Sequence, residues 1–359
     1  MKPTVAVIYV SYNARPFLDD AVFSLENMNY AKDSVELVII DNASGDDSAQ
    51  YLESKLVPRL RNQFKHVAFF PNLYNSGFAG GYNQGMRYAL EREVDYVYLL
   101  NADAKVAPDF LDRVVDVCEQ DAKIGAAQSA MLLAQEPDKI NSSGNMIHFL
   151  GFGFSRDSRE SADMLSRYCD GDEIAYASGA AVLLRVRALR EVGLFLEELF
   201  MYHEDLDLGL RMRIAGWKSV IAPSSVAYHH YEFSRSIKKF YFMERNRIAI
   251  LLIHLRITTL LLIAPAFFAM ELGILFFSIR SGWFMTKLFS YAGLLKPSFI
   301  KIILENRKRS FGLRTISDRE ATRLFCGSIM YQEIKNPLLE FVANPVFNLY
   351  WKIIRNLII

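Results

Sequence analysis

The sequence predicts an α/β protein with a mostly parallel central sheet flanked by helices, followed by a helical region of different character. Apolar strand patterns alternate with helical patterns over the first 100 residues, and the composition changes sharply near residue 245. Alternating strands and helices form right-handed βαβ units, which build parallel sheets. A chain of 359 residues is also longer than one typical domain. We therefore divide the chain into a sheet domain at residues 1–245 and a helical region at residues 246–359.

Short, continuous apolar runs predict the strands, because a strand buried on both faces needs few polar side chains. In chain order these runs are residues 5–10, 35–40, 67–70, 96–100, 180–184 and 217–221. Helical patterns separate the first four runs, at residues 17–28, around Tyr51 and around Met86. Another helix is predicted to begin near Pro108. Residues 124–180 are less regular, and only glycine-marked turns around short strands are expected there.

Charge is distributed unevenly along the chain. Residues 1–240 contain 25 basic and 33 acidic side chains, a net charge of −8, whereas residues 241–359 contain 16 basic and 7 acidic ones, a net charge of +9. A basic segment of this kind indicates contact with an anionic surface. Because the segment is also rich in Leu, Ile and Phe, a phospholipid surface is favoured over nucleic acid.

The apolar stretch at residues 248–279 is interrupted by His254, Arg256 and Glu271, so its longest run without a charge is the 14 residues 257–270. A helix needs about 20 residues to cross a bilayer. We therefore predict helices that lie in the membrane interface or form a shallow re-entrant hairpin, with an ordinary helical subdomain or a dimer interface as the alternative. The following basic and aromatic residues would anchor such a surface: Lys301, Arg307, Lys308, Arg309, Tyr350, Trp351, Lys352 and Arg355.

Cysteine usage and the N-terminus indicate the compartment. Cys118, Cys169 and Cys326 form neither a disulfide pattern nor a metal-ligand pattern, which is typical of a reducing environment. The apolar run after the first residues is too short for a secretory signal. We therefore expect the protein at the cytoplasmic face of the cell membrane, bound peripherally or monotopically.

A polar cluster follows the predicted strand at residues 96–100. Asn101 and Asp103 lie two positions apart on an extended segment, so their side chains point the same way. Ligands of open α/β sheets bind at the carboxyl ends of strands, and Mg²⁺ or Mn²⁺ accepts oxygen ligands while keeping positions for phosphate oxygens. The pattern predicts a metal-bound diphosphate here, with a simple turn or helix cap as the alternative. His229, at another strand end, is a candidate further ligand, and His230 is a weaker one.

A second acidic cluster, Glu204-Asp205, opens the helical pattern at residues 206–214. Carboxylates beside apolar neighbours tend to have raised pKa values, which suits a general base. Favourable charge at the positive end of a helix dipole is the simpler interpretation. Asp207 and Arg211 are predicted to form an i,i+4 pair on the surface.

Residues 75–83 contain Gly77, Gly80 and Gly81. Their spacing is not that of a dinucleotide-binding fingerprint. We predict a loop whose backbone approaches a nucleotide closely, and plain turn chemistry is the alternative.

Taken together, these segments resemble the inverting family 2 glycosyltransferases of the nucleotide-diphospho-sugar transferase (GT-A) fold. The resemblance covers about residues 3–245, with four motifs in order. It is closest to the rhamnosyltransferase-like branch, which builds bacterial surface polysaccharides. The resemblance implies that the donor is bound by the first strand's turn, the aspartate ending the second strand, the glycine-rich segment and the Asp-x-Asp position: Ser11, Tyr12, Asn13, Asp41, Asn75, Gly77, Asn83, Asn101 and Ala102.

The same resemblance implies the metal ligands. Asp103 occupies the last position of the Asp-x-Asp motif, which holds Mg²⁺ or Mn²⁺, and Asn101 occupies the first position, as is frequent in this branch. His229 lies where the family places a metal-binding histidine.

The resemblance also implies the catalytic base and the acceptor side. Glu204-Asp205 is similar to the acidic pair whose aspartate serves as the base, and Ser178-Gly179 is similar to the segment before the acceptor pocket. The Gln-x-x-Arg-Trp signature of processive polymerases is absent from the sequence. This pattern implies the addition of one or a few sugars.

The resemblance therefore implies an inverting, metal-dependent enzyme that moves a sugar from a nucleoside diphosphate to a hydroxyl group of a lipid-linked or cell-surface glycan. Rhamnose from a thymidine diphosphate donor is the expectation from the branch, and galactose, glucose or mannose remain open. A nucleotidyltransferase on the same kind of sheet is one alternative, although residues 11–16 lack the glycine-rich basic loop of that class. An inactive membrane-bound scaffold is the other, and the acidic pairs argue against it.

Overall fold

The first 101 residues form a parallel array of four strands: β1 (Val5–Ser11), β2 (Val35–Asp41), β3 (His66–Pro71) and β4 (Tyr96–Asn101). The computed structural model describes residues 2–231, 240–331 and 337–359. The four strands lie in the order β3-β2-β1-β4, which confirms the predicted βαβ arrangement. Ser11 pairs with Asp41, and Val10 pairs with Asn101. The register therefore brings the carboxyl ends of β1, β2 and β4 to one edge of the sheet.

Helices separate these strands: α1 (Leu18–Glu26), α2 (Ser48–Tyr51), α3 (Val57–Arg61), α4 (Gly77–Glu91) and α5 (Phe110–Gln120), with a π-helical turn at Leu52–Leu56 and a 3-10 turn at Lys32–Ser34. The glycine-rich segment is not the predicted loop, because it forms the first turns of α4. A Cβ atom added at Gly81 would lie 2.9 Å from Val10, and one at Gly85 would lie 2.5 Å from Ile8. Glycine lets α4 lie directly on β1.

The second half of the sheet is mixed, which corrects the prediction of a mostly parallel sheet. Its strands are β5 (Ala104–Val106), β6 (Ile124–Leu133), β7 (Ile140–Ser142), β10 (Ala181–Arg185) and β11 (Lys218–His229). The strands β8 (Asn145–His148) and β9 (Gly153–Ser155) belong to a separate three-stranded sheet. In the described part of the chain, the nine-stranded sheet has the order β3-β2-β1-β4-β10-β6-β11-β5, with β7 beside β6. β10 runs antiparallel to both β4 and β6. An apolar run indicates a buried strand but not its direction.

The sequence prediction missed one strand in this half of the sheet and made another too short. β6 is buried along its whole length, although no strand was assigned to that stretch. β11 continues past Pro223 to His229, with a register shift between Ala222 and Val226. Proline is tolerated in strands at such irregularities. The extension matters because it carries His229 to the end of β4. The helices α6 (Val186–Val192) and α7 (Glu204–Ile214) complete this half, with 3-10 turns at Ala162–Arg167 and Glu197–Leu199.

The C-terminal region is helical, as predicted: α8 (Phe240–His254), α9 (Ile257–Arg280), α10 (Phe284–Leu294), α11 (Pro297–Leu313), α12 (Asp318–Ala321) and α13 (Asn344–Ile354), with a π-helical turn at Leu339–Ala343. The short strand β12 (Phe325–Cys326) returns to pair with β8. One apolar core contains both Leu206 of α7 and Trp351 of α13. The C-terminal region therefore packs directly on the sheet domain. The predicted boundary at residue 245 falls inside α8.

The helix α9 is longer than the charge pattern suggested. It is continuous over 24 residues, and by length and composition alone it could cross a membrane, a criterion that core helices also meet. Only 22% of its most apolar 18-residue window is buried in the protein. Glu271 does not interrupt it, because its carboxylate is buried and pairs with Arg247 and Lys287. Glu244 completes a buried cluster of two acids and two bases that joins α8, α9 and α10.

Four of the predicted anchor residues contact the protein itself. Trp351 is buried and donates its indole N–H to a carbonyl group of β12. The Tyr350 hydroxyl donates to a carbonyl group of α9. Arg307 donates to carbonyl groups near the end of α8, and Arg309 donates to one in α6. The anchor cations Lys301, Lys308, Lys352 and Arg355 are exposed, and Lys301 pairs with Glu305 at 3.8 Å.

Candidate active site

A cleft of about 340 Å³ lies where β4 and β11 end and α7 begins. Seven of the predicted site residues line it: Asn101, Asp103, Ser178, Gly179, Glu204, Asp205 and His229. The aromatic side chains of Phe78, Tyr202 and Tyr231 form part of its walls. The two acidic clusters, about 100 residues apart in sequence, therefore face the same space.

Asp103 and His229 are held together by the pairing of β5 with β11. The Asp103 Oδ1 atom lies 3.1 Å from His229 Nε2, and the Asn101 amide nitrogen lies 3.4 Å from the same imidazole atom. The His230 ring packs on Phe17 with ring centroids 5.0 Å apart. Of the two adjacent histidines, only His229 lines the cleft.

Asn141 of β7 orients His229, and the sequence reasoning missed it. Its Oδ1 atom lies 3.0 Å from His229 Nδ1. An amide oxygen can only accept, so this contact calls for the proton on Nδ1, which makes Nε2 the nitrogen available to a cation. Both Asn141 and His229 are buried. Nothing local in the sequence signals this contact, since it depends on how β6 pairs with both β7 and β11.

These donors suit a divalent cation that also has ligands from a diphosphate. In the described ranges, no group of three or more His, Cys, Asp or Glu side chains is placed to hold a metal ion. Asp103 and His229 offer one carboxylate oxygen and one imidazole nitrogen, with the Asn101 amide beside them. Mg²⁺ in nucleotide sites is typically held by one or two carboxylates plus substrate phosphates. The residues present therefore fit a cation that is completed by its substrate.

Asp205 lies in the first turn of α7, and two backbone amides bind its carboxylate. Gly179 N donates to Oδ2 at 3.2 Å, and Leu206 N donates to Oδ1 at 2.8 Å. Burial raises the pKa of Asp205 to about 6, although these amide hydrogen bonds oppose the rise. Burial and the neighbouring Asp205 charge raise the pKa of Glu204 well above its usual value. Burial thus favours the neutral form of Glu204, while a pKa of about 6 leaves Asp205 ionised at neutral pH and suits it to accept a proton.

The predicted donor residues at the ends of β1 and β2 form two interlocked turns. Both carboxylate oxygens of the buried Asp41 accept hydrogen bonds from Ser44, at 2.9 and 2.6 Å. Asn13, at φ +50°, accepts a hydrogen bond from Gly45 N at 2.7 Å. Tyr12 is half exposed beside them. The Ser11 hydroxyl is buried without a hydrogen-bond partner among the described residues.

Asn42 links these turns to the start of α4, and the sequence reasoning gave it no role. Its amide nitrogen donates to Asn75 Oδ1 at 3.1 Å and to the Gly77 carbonyl at 2.9 Å, while its oxygen accepts from Ser76 N at 3.2 Å. Asn75 also accepts from Gly77 N at 2.8 Å. Asn75 and Gly77 therefore shape the segment and do not line the cleft.

Two further predicted donor residues make hydrogen bonds within the protein. The buried Asn83 side chain accepts from Phe195 N and donates to Phe195 O and Glu197 at 2.9 Å, so it holds that loop. Ala102 contributes its carbonyl group, which accepts from the Tyr9 hydroxyl at 2.8 Å.

Asp207 and Arg211 do not form the predicted surface pair, because α7 is buried between the sheet and the C-terminal helices. Both side chains are almost fully enclosed and lie 2.7 Å apart. His254 of α8 binds the other carboxylate oxygen at 2.8 Å. Although burial opposes it, Arg211 and His254 lower the pKa of Asp207 to about 2. The pair therefore ties α7 to the C-terminal region.

Comparison with known proteins places this chain in a family. The family model described as Glycosyl transferase family 2 matches residues 6–193, more than half of the chain. The chain belongs to glycosyl transferase family 2. This family 2 glycosyltransferase is 27% identical over 248 residues to N-acetylglucosaminyl-diphospho-decaprenol L-rhamnosyltransferase of Mycobacterium tuberculosis, covering 64% of this chain and 77% of the relative. The resemblance inferred from the motifs is confirmed, and the protein is a sugar transferase.

Solved structures share the fold of this family 2 glycosyltransferase. GalNAc-T7 with UDP, GalNAc and Mn²⁺ has a TM-score of 0.55 at 17% identity, covering 70% of this chain and 48% of that chain. Residues 1–349 of S. aureus TarS in complex with UDP have a TM-score of 0.50 at 16% identity, covering 98% of this chain and 90% of that one. The chain spans about half the length of GalNAc-T7. These likenesses confirm a GT-A-like α/β fold with flanking helices.

Proposed function

We propose that this glycosyltransferase transfers a sugar with inversion from a nucleoside diphosphate to an acceptor hydroxyl group. In this proposal Asp205 is the catalytic base, and Asp103 and His229 hold Mg²⁺ or Mn²⁺. One observation carries the proposal: the paired Asp103 and His229 line the same cleft as an aspartate whose pKa burial raises to about 6. A metal-bound leaving group and a base facing one space are the requirements of a single displacement.

The roles of the residues follow from their positions. Asp205 removes the proton from the acceptor hydroxyl, and the oxygen attacks the anomeric carbon opposite the leaving diphosphate, which inverts that carbon. Gly179 N and Leu206 N hold the Asp205 carboxylate in position. Burial and the Asp205 charge raise the pKa of Glu204, which favours its neutral form beside that carboxylate. When bound, the cation would neutralise charge that develops on the leaving diphosphate.

The donor and acceptor are proposed from the relative of known activity. Its name specifies an L-rhamnosyltransferase that acts on a decaprenyl diphosphate-linked N-acetylglucosamine. We propose thymidine diphosphate-rhamnose as the donor and a lipid-linked or cell-surface glycan as the acceptor, with non-processive transfer. The large exposed apolar area of the C-terminal region supports a lipid-linked acceptor.

A panel of nucleotide sugars tests the donor. Each would be added with and without Mn²⁺ while the thermal unfolding of the full chain is followed, because a ligand that binds only the folded state raises the midpoint. We expect thymidine diphosphate-rhamnose with Mn²⁺ to give the largest increase, and radiolabel from it to appear in the lipid fraction of added membranes. A larger metal-dependent increase with another sugar would replace rhamnose in the proposal. No increase with any donor would overturn the proposal.

We also propose that the protein lies on the cytoplasmic face of the cell membrane through its C-terminal region. Large apolar side chains on one stripe of α9 are 65–68% exposed, and α13 and the tail add a second set. Contiguous exposed apolar area of this size is typical of an interaction surface. The net charge of +9 over residues 241–359 favours an anionic lipid surface. The two sets are Ile257, Leu261, Phe268, Leu272 and Phe276, and Val346, Leu349, Ile353 and Leu357.

Replacing Phe268 with glutamate is expected to weaken binding to vesicles of phosphatidylglycerol and phosphatidylcholine. The partition coefficient should fall about tenfold or more, since burying such a side chain contributes about 1.5–3 kcal/mol. Sedimentation with the vesicles measures the bound fraction. Leu73→Glu is the control, because Leu73 is 98% exposed on the sheet domain. Equal losses for both variants, or none for Phe268→Glu, would contradict the proposed membrane face.

Replacing Asn141 with alanine is expected to weaken Mn²⁺ binding about 10- to 100-fold, as is typical when the partner of a metal-bound histidine is lost. Without Asn141, neither the Nδ1 proton nor the ring orientation of His229 is fixed. Calorimetric titration with Mn²⁺ in the presence of a nucleoside diphosphate measures the change. Asn62→Ala, at an exposed position, should leave the affinity unchanged. Unaltered affinity in Asn141→Ala would show that His229 is not a ligand.

A further inference from the structure

The backbone just before the catalytic helix α7 is strained. Phe200, Tyr202 and His203 have φ values of +67°, +64° and +71°, a region that residues other than glycine seldom adopt. Such conformations persist only when the surrounding structure holds them, and they are frequent at functional sites. Met201 and Tyr202 also line the cleft. The strained segment therefore forms both a wall of the cleft and the approach to Glu204-Asp205.

Asn246 of α8 holds this segment from one side. Its amide nitrogen donates to the carbonyl groups of Leu199 at 3.0 Å, Met201 at 3.0 Å and Tyr202 at 2.8 Å. The side chain is fully buried. Arg245 donates to the Asn246 amide oxygen at 3.0 Å, which fixes the amide orientation. An amide has two N–H bonds, so three carbonyl groups converge on one donor group.

The donor side of the cleft holds the segment from the other side. Ala79 N of α4 donates to the Phe200 carbonyl at 3.2 Å. A Cβ atom at Gly77 would lie 2.5 Å from the same carbonyl oxygen, so the two backbones are in direct contact. The strained segment is thus enclosed between α4, which begins in the predicted donor segment, and α8, which belongs to the C-terminal region.

We propose that Asn246 is a positioning residue for the sugar transfer. By binding the carbonyl groups of Leu199, Met201 and Tyr202, it fixes the strained segment and so the place of Asp205 in the cleft. It contacts neither donor nor acceptor itself. This inference rests on the proposed function, since it takes Asp205 as the base. It gives the first turns of α8 a role in catalysis beyond attachment to a surface.

Replacing Asn246 with alanine tests the proposal in the full chain. We expect kcat to fall about 100-fold, because small misplacements of reacting groups have effects of that size. The KM for the nucleotide sugar should stay within about twofold, since the donor residues keep their contacts. Amide hydrogen exchange in residues 198–206 should become faster, as expected when a local structure opens more easily.

Asn344→Ala is the matched control. Asn344 also binds backbone groups with its amide, namely Ile329 N and Ile329 O, each at 2.8 Å, and it lies in α13. The Asn344→Ala variant should leave both kcat and the amide hydrogen exchange of residues 198–206 unchanged. Asn246→Ser keeps one hydrogen-bond donor, so we expect a loss of kcat smaller than that of Asn246→Ala. This second variant tests the proposal even if Asn246→Ala does not fold.

The outcomes separate this proposal from the proposed function. Near-normal kcat and exchange in both Asn246 variants would overturn the positioning role while the sugar transfer stands. A loss of kcat equal in Asn344→Ala would overturn it as well, because the effect would then be general. If the unmodified protein transfers no sugar from any donor but residues 198–206 exchange faster in Asn246→Ala, the proposed reaction is wrong and Asn246 still holds the segment.

Discussion

Replacing Asp205 with asparagine is expected to reduce kcat by about 10³-fold, within the range that a general base contributes. Asparagine keeps the shape of the side chain but cannot take the acceptor proton. Metal-dependent binding of the nucleotide sugar should persist, because Asp103 and His229 are unchanged. Transfer of radiolabelled sugar measures kcat, and thermal unfolding with donor and Mn²⁺ measures binding. Asp116→Asn, at an exposed position on α5, is the control and should behave as the unmodified protein.

The pH dependence of the rate gives an independent check on Asp205. A base acts only when ionised, so kcat should rise with pH through about 6, the value to which burial raises the pKa of Asp205. The titratable groups that interact with it are Glu204 and Tyr176, and burial raises the pKa of both well above the usual value. Tyr176 therefore stays protonated over this range. A flat profile between pH 5 and 7 would assign the base to another group.

Replacing Asp103 with asparagine, or removing divalent ions with a chelator, is expected to reduce transfer by about 10³-fold or more. A bound cation contributes several kcal/mol to stabilising charge on a leaving group, and each 1.36 kcal/mol is a factor of ten in rate. Mn²⁺ added after chelation should restore sugar transfer by the unmodified protein but not by Asp103→Asn. Calorimetry should show the loss of Mn²⁺ binding in the variant. Full activity without divalent ions would remove the metal from the mechanism.

The first four strands could be predicted from the sequence because each is a short apolar run of the right length, and βαβ units leave little choice of order. The direction of β10 could not be predicted, because an apolar run contains no information on whether the strand is parallel or antiparallel to its neighbours. The helical start of α4 was missed because glycine is a poor helix former. Its close approach to β1, which requires glycine, is a property of the packed structure and leaves no local signal.

The two acidic clusters of the site were predictable because each lies at the end or start of a regular element. Their partners were not. Asn141 and Asn246 bind groups that lie 88 and 44–47 residues away in sequence. An isolated asparagine is usual in loops and on surfaces, so the residue type alone gives no indication. The contacts exist only once β7 pairs with β6 and α8 packs beneath the strained segment.

The buried cluster of Glu244, Arg247, Glu271 and Lys287 has a practical consequence for shortening the enzyme. Ending the chain at residue 245 would leave Glu244 without its two cations and remove Asn246 altogether. Unpaired charges and bared apolar surface are strongly destabilising. A variant with less exposed apolar surface is better made by keeping every helix. The exposed residues Leu261, Phe268 and Leu272 of α9 would be replaced with polar residues.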